Sequence, residues 1–155
     1  MSVLLVRDVM RIGVPHCRDN ATLSEAARLM AEGGLGFLIV LDEDGEAVGW
    51  LNEAMLARHF AADYEKLTAG TAMNRVIPRV PPDIPPAAAV QIMLDQGLQQ
   101  LFILHESPGP LRAAAVFTLR NVVRVMAGLP REEGQGVGAP RRTAMDAFRD
   151  RYAKP

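Results

Sequence analysis

Thr118 and Asn121 stand three residues apart, directly after the apolar run Ala115-Val116-Phe117. That order is a strand end running into a helix start, with a hydroxyl at the junction and an amide one turn on. Free backbone N–H groups and the positive end of the helix dipole make such a corner suited to anionic ligands. A cap alone also accounts for Thr118, because a side-chain oxygen there accepts from a first-turn N–H. Asn121 is otherwise a solvated helix residue. Arg120 lies beside them and Arg79 in an extended, proline-dense stretch, and either guanidinium is a charged donor suited to phosphate. Val80 follows Arg79 as core or cleft wall, with backbone groups able to meet the edge of a flat ring. An earlier stretch, Gly49-Trp50-Leu51-Asn52-Glu53-Ala54-Met55, has the same layout with Asn52 and Met55 at the two polar positions.

Other chemistry finds little support. His16-Cys17 suggests a metal, but His59 and His105 are far away and Cys17 is the sole cysteine, a poor zinc pattern. No intramolecular disulfide is possible, which fits a reducing compartment. Gly134, Gly136 and Gly138 follow a helix stop and lack the Lys-Ser/Thr of a phosphate loop, so a linker is expected. Ser2, Ser24 and Ser107 lie in no nucleophile elbow, and no carboxylate pair stands out. We therefore expect no catalytic residues, no metal site and no enzyme activity.

With 155 residues, 49% apolar and 23% charged, the chain suits one compact unit or two small packed modules. A formal net charge of −1 gives no general attraction to nucleic acid or anionic membranes. The apolar run Val3 to Val6 is too short for a signal peptide or membrane span, so a cytoplasmic protein is expected.

The elements that must position the polar corner repeat along the chain. Met10, Ala26, Met30 and Gly34 recur as Met73, Ala89, Met93 and Gly97, each 63 residues later. Asn52 and Leu56 recur as Thr118 and Val122, 66 later, the extra three absorbed by a longer loop over 106–111. In the first repeat, Thr22 and Glu25 form a capping box before a helix striped by Leu23, Ala26, Ala27 and Met30. Gly33-Gly34 ends that helix. Phe37 to Leu41 is a buried strand, Asp44-Gly45 marks the hairpin turn, and Ala47 to Leu51 returns. Asn52 then caps a helix running to about Phe60. In the second repeat Pro86 opens a helix to Gln96. Leu101 to Leu104 pairs with Arg112 to Phe117, and Leu119, Val122, Val123 and Met126 stripe the closing helix. The boundaries are 1–62 and 63–128. Residues 129–155 form a tail of six basic and four acidic residues, with a glycine-rich linker and a short amphipathic helix over 141–153.

Each repeat thus runs strand, helix, strand, strand, helix after a helical turn ending in Val9-Met10 or Ala72-Met73. This order, with Ala26-Ala27-Arg28-Leu29-Met30, the strand into Asp42-Glu43-Asp44-Gly45 and the Gly49-Trp50-Leu51 entry, resembles the cystathionine-β-synthase (CBS) domain family over residues 7–127. The resemblance implies an α/β fold of two tandem repeats related by a pseudo-twofold axis, each a three-stranded sheet with helices packed on it. It also implies clefts that bind AMP, ADP, ATP or S-adenosylmethionine as regulatory ligands, a homodimer, and an effector protein that the sequence does not name. The family's ligand signature places Thr118 and Asn121 at the hydroxyl and ribose positions, with Ala115 in place of its glycine. In the first repeat Met55 stands at the ribose position, and a thioether cannot hold a diol. One competent site, in the second repeat, is expected. The alternative is an interaction module without nucleotide binding, favoured by Met55 and Ala115.

Overall fold

The computed structural model describes residues 3–105 and 108–132. The first repeat opens with a helical turn, α1 (Val6–Val9), and a two-residue strand, β1 (Arg11–Ile12). Then come β2 (His16–Arg18), α2 (Leu23–Gly33), β3 (Phe37–Leu41), β4 (Ala47–Asn52) and α3 (Glu53–Ala57). The second has α4 (Ala69–Ala72), α5 (Pro86–Gln96), β5 (Gln100–His105), β6 (Arg112–Thr118) and α6 (Leu119–Met126).

Local signals account for most of these boundaries. Thr22 Oγ1 accepts from Glu25 N at 3.1 Å while Glu25 Oε2 accepts from Thr22 N at 3.3 Å, the reciprocal box that starts α2. Gly34 closes α2 at φ 69°, a left-handed conformation that costs glycine nothing. Pro86 takes the first position of α5, where its missing N–H has no intrahelical role. α3 ends at Ala57 rather than near Phe60, and residues 58–62 continue as turns; Phe60 is exposed and has no packing that would extend the helix. The helix expected over 141–153 lies outside the described residues.

The strands form two three-stranded sheets, ordered β1-β6-β5 and β2-β3-β4. The repeats exchange their leading segments. β1, from the start of the chain, pairs antiparallel with β6 of the second repeat, Arg11 opposite Val116 and Ile12 opposite Ala115. Asn74, 63 residues on, makes the matching antiparallel bridge to Trp50 of β4. The core follows the exchange. Val6 and Val9 of α1 pack with Ala89, Met93, Leu101, Ala115 and Phe117 of the second repeat. Ala69 of α4 packs with Ala26, Met30, Leu38, Val40 and Leu51 of the first. Each repeat's apolar core is thus completed by an element from the other.

A third apolar cluster lies between the sheets, with Phe37, Ile39 and Trp50 from one side and Phe102 and Val116 from the other. Phe102 is fully buried and meets Phe37 and Trp50 edge-on, at ring-centre distances of 5.7 and 6.0 Å. The Trp50 indole N–H donates to the Val76 carbonyl at 2.9 Å, which joins this cluster to the exchanged segment.

Gly49 lies where the exchanged segment passes closest to β4. A Cβ there would come within 2.5 Å of Met73 Sδ and 2.9 Å of the Asn74 carbonyl oxygen. Gly49→Ala should therefore destabilise the chain by about 1–3 kcal/mol, since the backbone contact cannot give way as a side chain would. A thermal melt should read this as a drop of roughly 2–4 °C per kcal/mol.

Candidate functional site

The polar corner forms where β6 meets α6. Asn121 N donates to Thr118 Oγ1 at 3.1 Å, and Thr118 N donates to Asn121 Oδ1 at 2.9 Å. This is a closed capping box with Asn in the place usually held by Glu or Gln. Both residues are buried, Asn121 to 2% exposure. The solvated helix residue that sequence offered as the alternative to ligand contact at Asn121 is not what is found. Asn121 shares a small cavity with Asp8 and Val9 at α1 and with Leu129 and Pro130, so the exchanged turn and the segment after α6 close over it.

A cleft of about 200 Å³ opens beside this corner. Its walls include Thr118, Leu119 and Arg120 at the start of α6, Arg11 from β1, the loop 34–36, and Gln99 and Gln100. Exchange of β1 brings Arg11 here, because its pairing with Val116 sets it two residues before Thr118 along β6. Arg11 Nε is buried without a hydrogen-bond partner, the only such side-chain nitrogen or oxygen found among the described residues. An unused donor of this kind in a cleft wall favours an acceptor ligand.

The first repeat has a counterpart cleft lined by Asn52, Glu53 and Ala54 with Gly97 to Gln100. The two clefts share Gly36, Glu53, Gln99 and Gln100. Their chemistry differs by position. Asn74 stands where the second cleft has Arg11, Ala54 where it has Arg120, and Glu53 where it has Leu119. Asn52 Oδ1 caps α3 by accepting from Met55 N at 2.9 Å. Cations gather at the second cleft alone.

The remaining sequence candidates lie elsewhere. Ala115 is fully buried in the second core, opposite Ile12, behind the cleft rather than in its wall. Arg79 and Val80 line a separate groove with Pro81, Pro82 and Leu104, where Arg79 bridges in parallel to Phe102 at the sheet edge. Val80 belongs to the core as well. Sequence reasoning missed Arg11, the loop 34–36, Gln99, Gln100 and Glu132. Only the repeat offset, which equates Arg11 with the bridging Asn74, carries a trace of this arrangement.

Residues 6–62 match the family model of the CBS domain. This chain carries a CBS domain. A 17.7 kDa protein of Acidianus ambivalens is 29% identical over 130 residues, covering 78% of this chain and 76% of that one. Among solved structures, the CBS domain pair of protein MJ0100 in complex with 5-methylthioadenosine and S-adenosyl-L-methionine superposes with a TM-score of 0.70. Identity to it is 20%, over 82% of this chain and 98% of that one. CBSX2 in complex with AMP gives a TM-score of 0.65 at 20% identity, over 80% of this chain and 96% of that one. The fold is that of a CBS domain pair, α/β with two three-stranded sheets.

Among the described residues no three His, Cys, Asp or Glu side chains gather as a metal site, and no helix is long and apolar enough to cross a membrane. His16 has its pKa lowered, chiefly by burial, with Arg18 adding to the effect against a backbone hydrogen bond at Val14. Burial, then the charges of Glu25 and Asp19, pushes the Cys17 thiol up to about 11. At pH 8 Cys17 should thus be alkylated at least roughly a hundredfold more slowly than a free thiol, because the thiolate is the nucleophile. Labelling with iodoacetamide before and after denaturation checks this; fast labelling of the native chain would contradict it.

Proposed function

We propose that this chain is a regulatory CBS pair that binds a phosphate-bearing adenosyl nucleotide in the cleft at the start of α6. The observation that carries the reading is the pairing of Arg11 and Arg120 across that cleft, with no equivalent cation at either position of the first repeat. Two guanidinium groups at a helix N-terminus suit a phosphate, which accepts several charge-assisted hydrogen bonds at once. Thr118 in the cleft wall keeps a hydroxyl hydrogen free of the capping box, and we assign it to the phosphate side; Asn121 lines the adjoining covered cavity and would meet the ribose only once the segment after α6 moves off it. AMP, ADP and ATP carry the phosphate this cleft suits, and S-adenosylmethionine, which has none, is the comparison ligand. A structure of like fold was solved with AMP, and a CBS domain pair of like fold with S-adenosyl-L-methionine and 5-methylthioadenosine, which share the adenosine and lack a phosphate.

In this reading the chain performs no catalysis. A ligand bound between β1, from one end of the sequence, and α6, from the other, biases how the two repeats pack. Such a bias is passed to a partner through differential affinity for the two arrangements. The effector is a separate protein in the cytoplasm, with neither nucleic acid nor membrane involved. A homodimer would cover Leu94 of α5 with Val123 and Met126 of α6, which are 62%, 62% and 82% exposed. The alternative, an interaction module without a nucleotide, draws on the same exposed face and on the small size of the cleft, below the ~300 Å³ at which ligand pockets usually begin.

A thermal melt with each ligand separates the two. A nucleotide at about 100 times its dissociation constant should add about 2.7 kcal/mol and raise the melting temperature by several degrees. Arg120→Ala, at an exposed position, should weaken AMP about tenfold with little change in the ligand-free melt. No shift with any nucleotide would leave the interaction module as the reading.

A further inference from the structure

The cations at the α6 cleft already have an occupant. The carboxylate of Glu132 lies 3.2 Å from Arg120 Nε, 3.6 Å from an Arg11 terminal nitrogen and 3.8 Å from one of Arg124. Glu132 is largely covered, with a side chain only 19% exposed, and it forms part of the cleft wall. The chain leading to it is tied down at each residue. Leu129 N donates to the Arg124 carbonyl at 2.9 Å. The Arg124 guanidinium donates twice to the Pro130 carbonyl, at 2.8 and 3.2 Å. Arg131 donates to the Arg7 carbonyl of α1 at 3.0 Å.

We propose that Glu132 is a built-in anionic competitor, and that 129–132 is a strap which a phosphate-bearing ligand displaces from Arg11, Arg120 and Arg124. This rests on the nucleotide reading above and adds its regulation. One carboxylate facing three guanidinium groups leaves them under-neutralised, and Arg11 Nε still lacks an acceptor. A phosphate offers more charge and more acceptor oxygens than a carboxylate, so it satisfies the same cluster better. Charge in the cleft leads the same way. Its ionised side chains are Arg11, Arg120, Glu53 and Glu132, neutral together and +1 once Glu132 leaves. Withdrawal of Glu132 also removes one wall of a cleft that is small for a nucleotide. The strap crosses from α6 to the exchanged turn α1, so its release frees these two elements from each other.

Titration calorimetry of AMP, adenosine and pyrophosphate against the native chain and Glu132→Gln tests this. AMP and pyrophosphate should bind Glu132→Gln about tenfold more tightly, a gain of the size expected for a few partly exposed ion pairs, while adenosine binds both alike. In the native chain AMP should also speed hydrogen exchange at the Leu129 amide, a readout of strap release that a charge effect alone would not move. Equal AMP and pyrophosphate affinities in the two chains, or unchanged Leu129 protection, would overturn the strap while leaving nucleotide binding intact. Tighter pyrophosphate binding by Glu132→Gln, with neither AMP nor adenosine bound by either chain, would instead sink the nucleotide reading and keep the strap as an anion gate. No binding of any probe would overturn both.

Discussion

The structure depends on the exchange of leading segments between the two repeats. One sheet takes its third strand from the other half, β1 on β6, and the other sheet, β2-β3-β4, is bridged at β4 by Asn74. Neither core is complete alone, since Val6 and Val9 fill the second and Ala69 the first. A half of this size alone buries too little apolar surface to be more than marginal. Exchange makes the two halves one cooperative unit, and the Phe37, Trp50 and Phe102 rings between the sheets add a shared core.

Function follows from the same constraint. The exchanged strand carries Arg11 across to the second repeat, so the cleft is built from residues more than a hundred positions apart in sequence. A ligand there touches both halves of the exchange, which is what coupling between ligand and packing requires. The repeats are alike in backbone but have diverged in side chain. Arg11 and Arg120 face one cleft, while Asn74 and Ala54 hold the equivalent places in the other. The two clefts share a backbone, and only one of them is cationic.

Much of this was legible in the sequence because it is local. The Thr22–Glu25 spacing announces its capping box and Thr118 its cap, and Pro86, Gly34 and Asp44-Gly45 mark element ends through backbone chemistry. The repeat offset aligned the two halves without any geometry. What stayed hidden is non-local. A two-residue strand such as Arg11–Ile12 has no periodicity from which to read its partner or register. The burial of Asn121 depends on α1 and on Leu129 and Pro130, which reach it from both ends of the described chain. Arg79 carries the right charge at a plausible place in sequence, yet it belongs to a different sheet edge. Glu132 sits in a stretch whose composition signals a linker, and only its three arginine neighbours in space give it a role.

The most direct test of the account is a crystal structure of the full chain grown with AMP. The phosphate should lie within hydrogen-bonding distance of the Arg11 and Arg120 guanidinium groups, with the Glu132 carboxylate withdrawn from both. AMP seated in the groove of Arg79 and Leu104, or beside an unmoved Glu132, would contradict it.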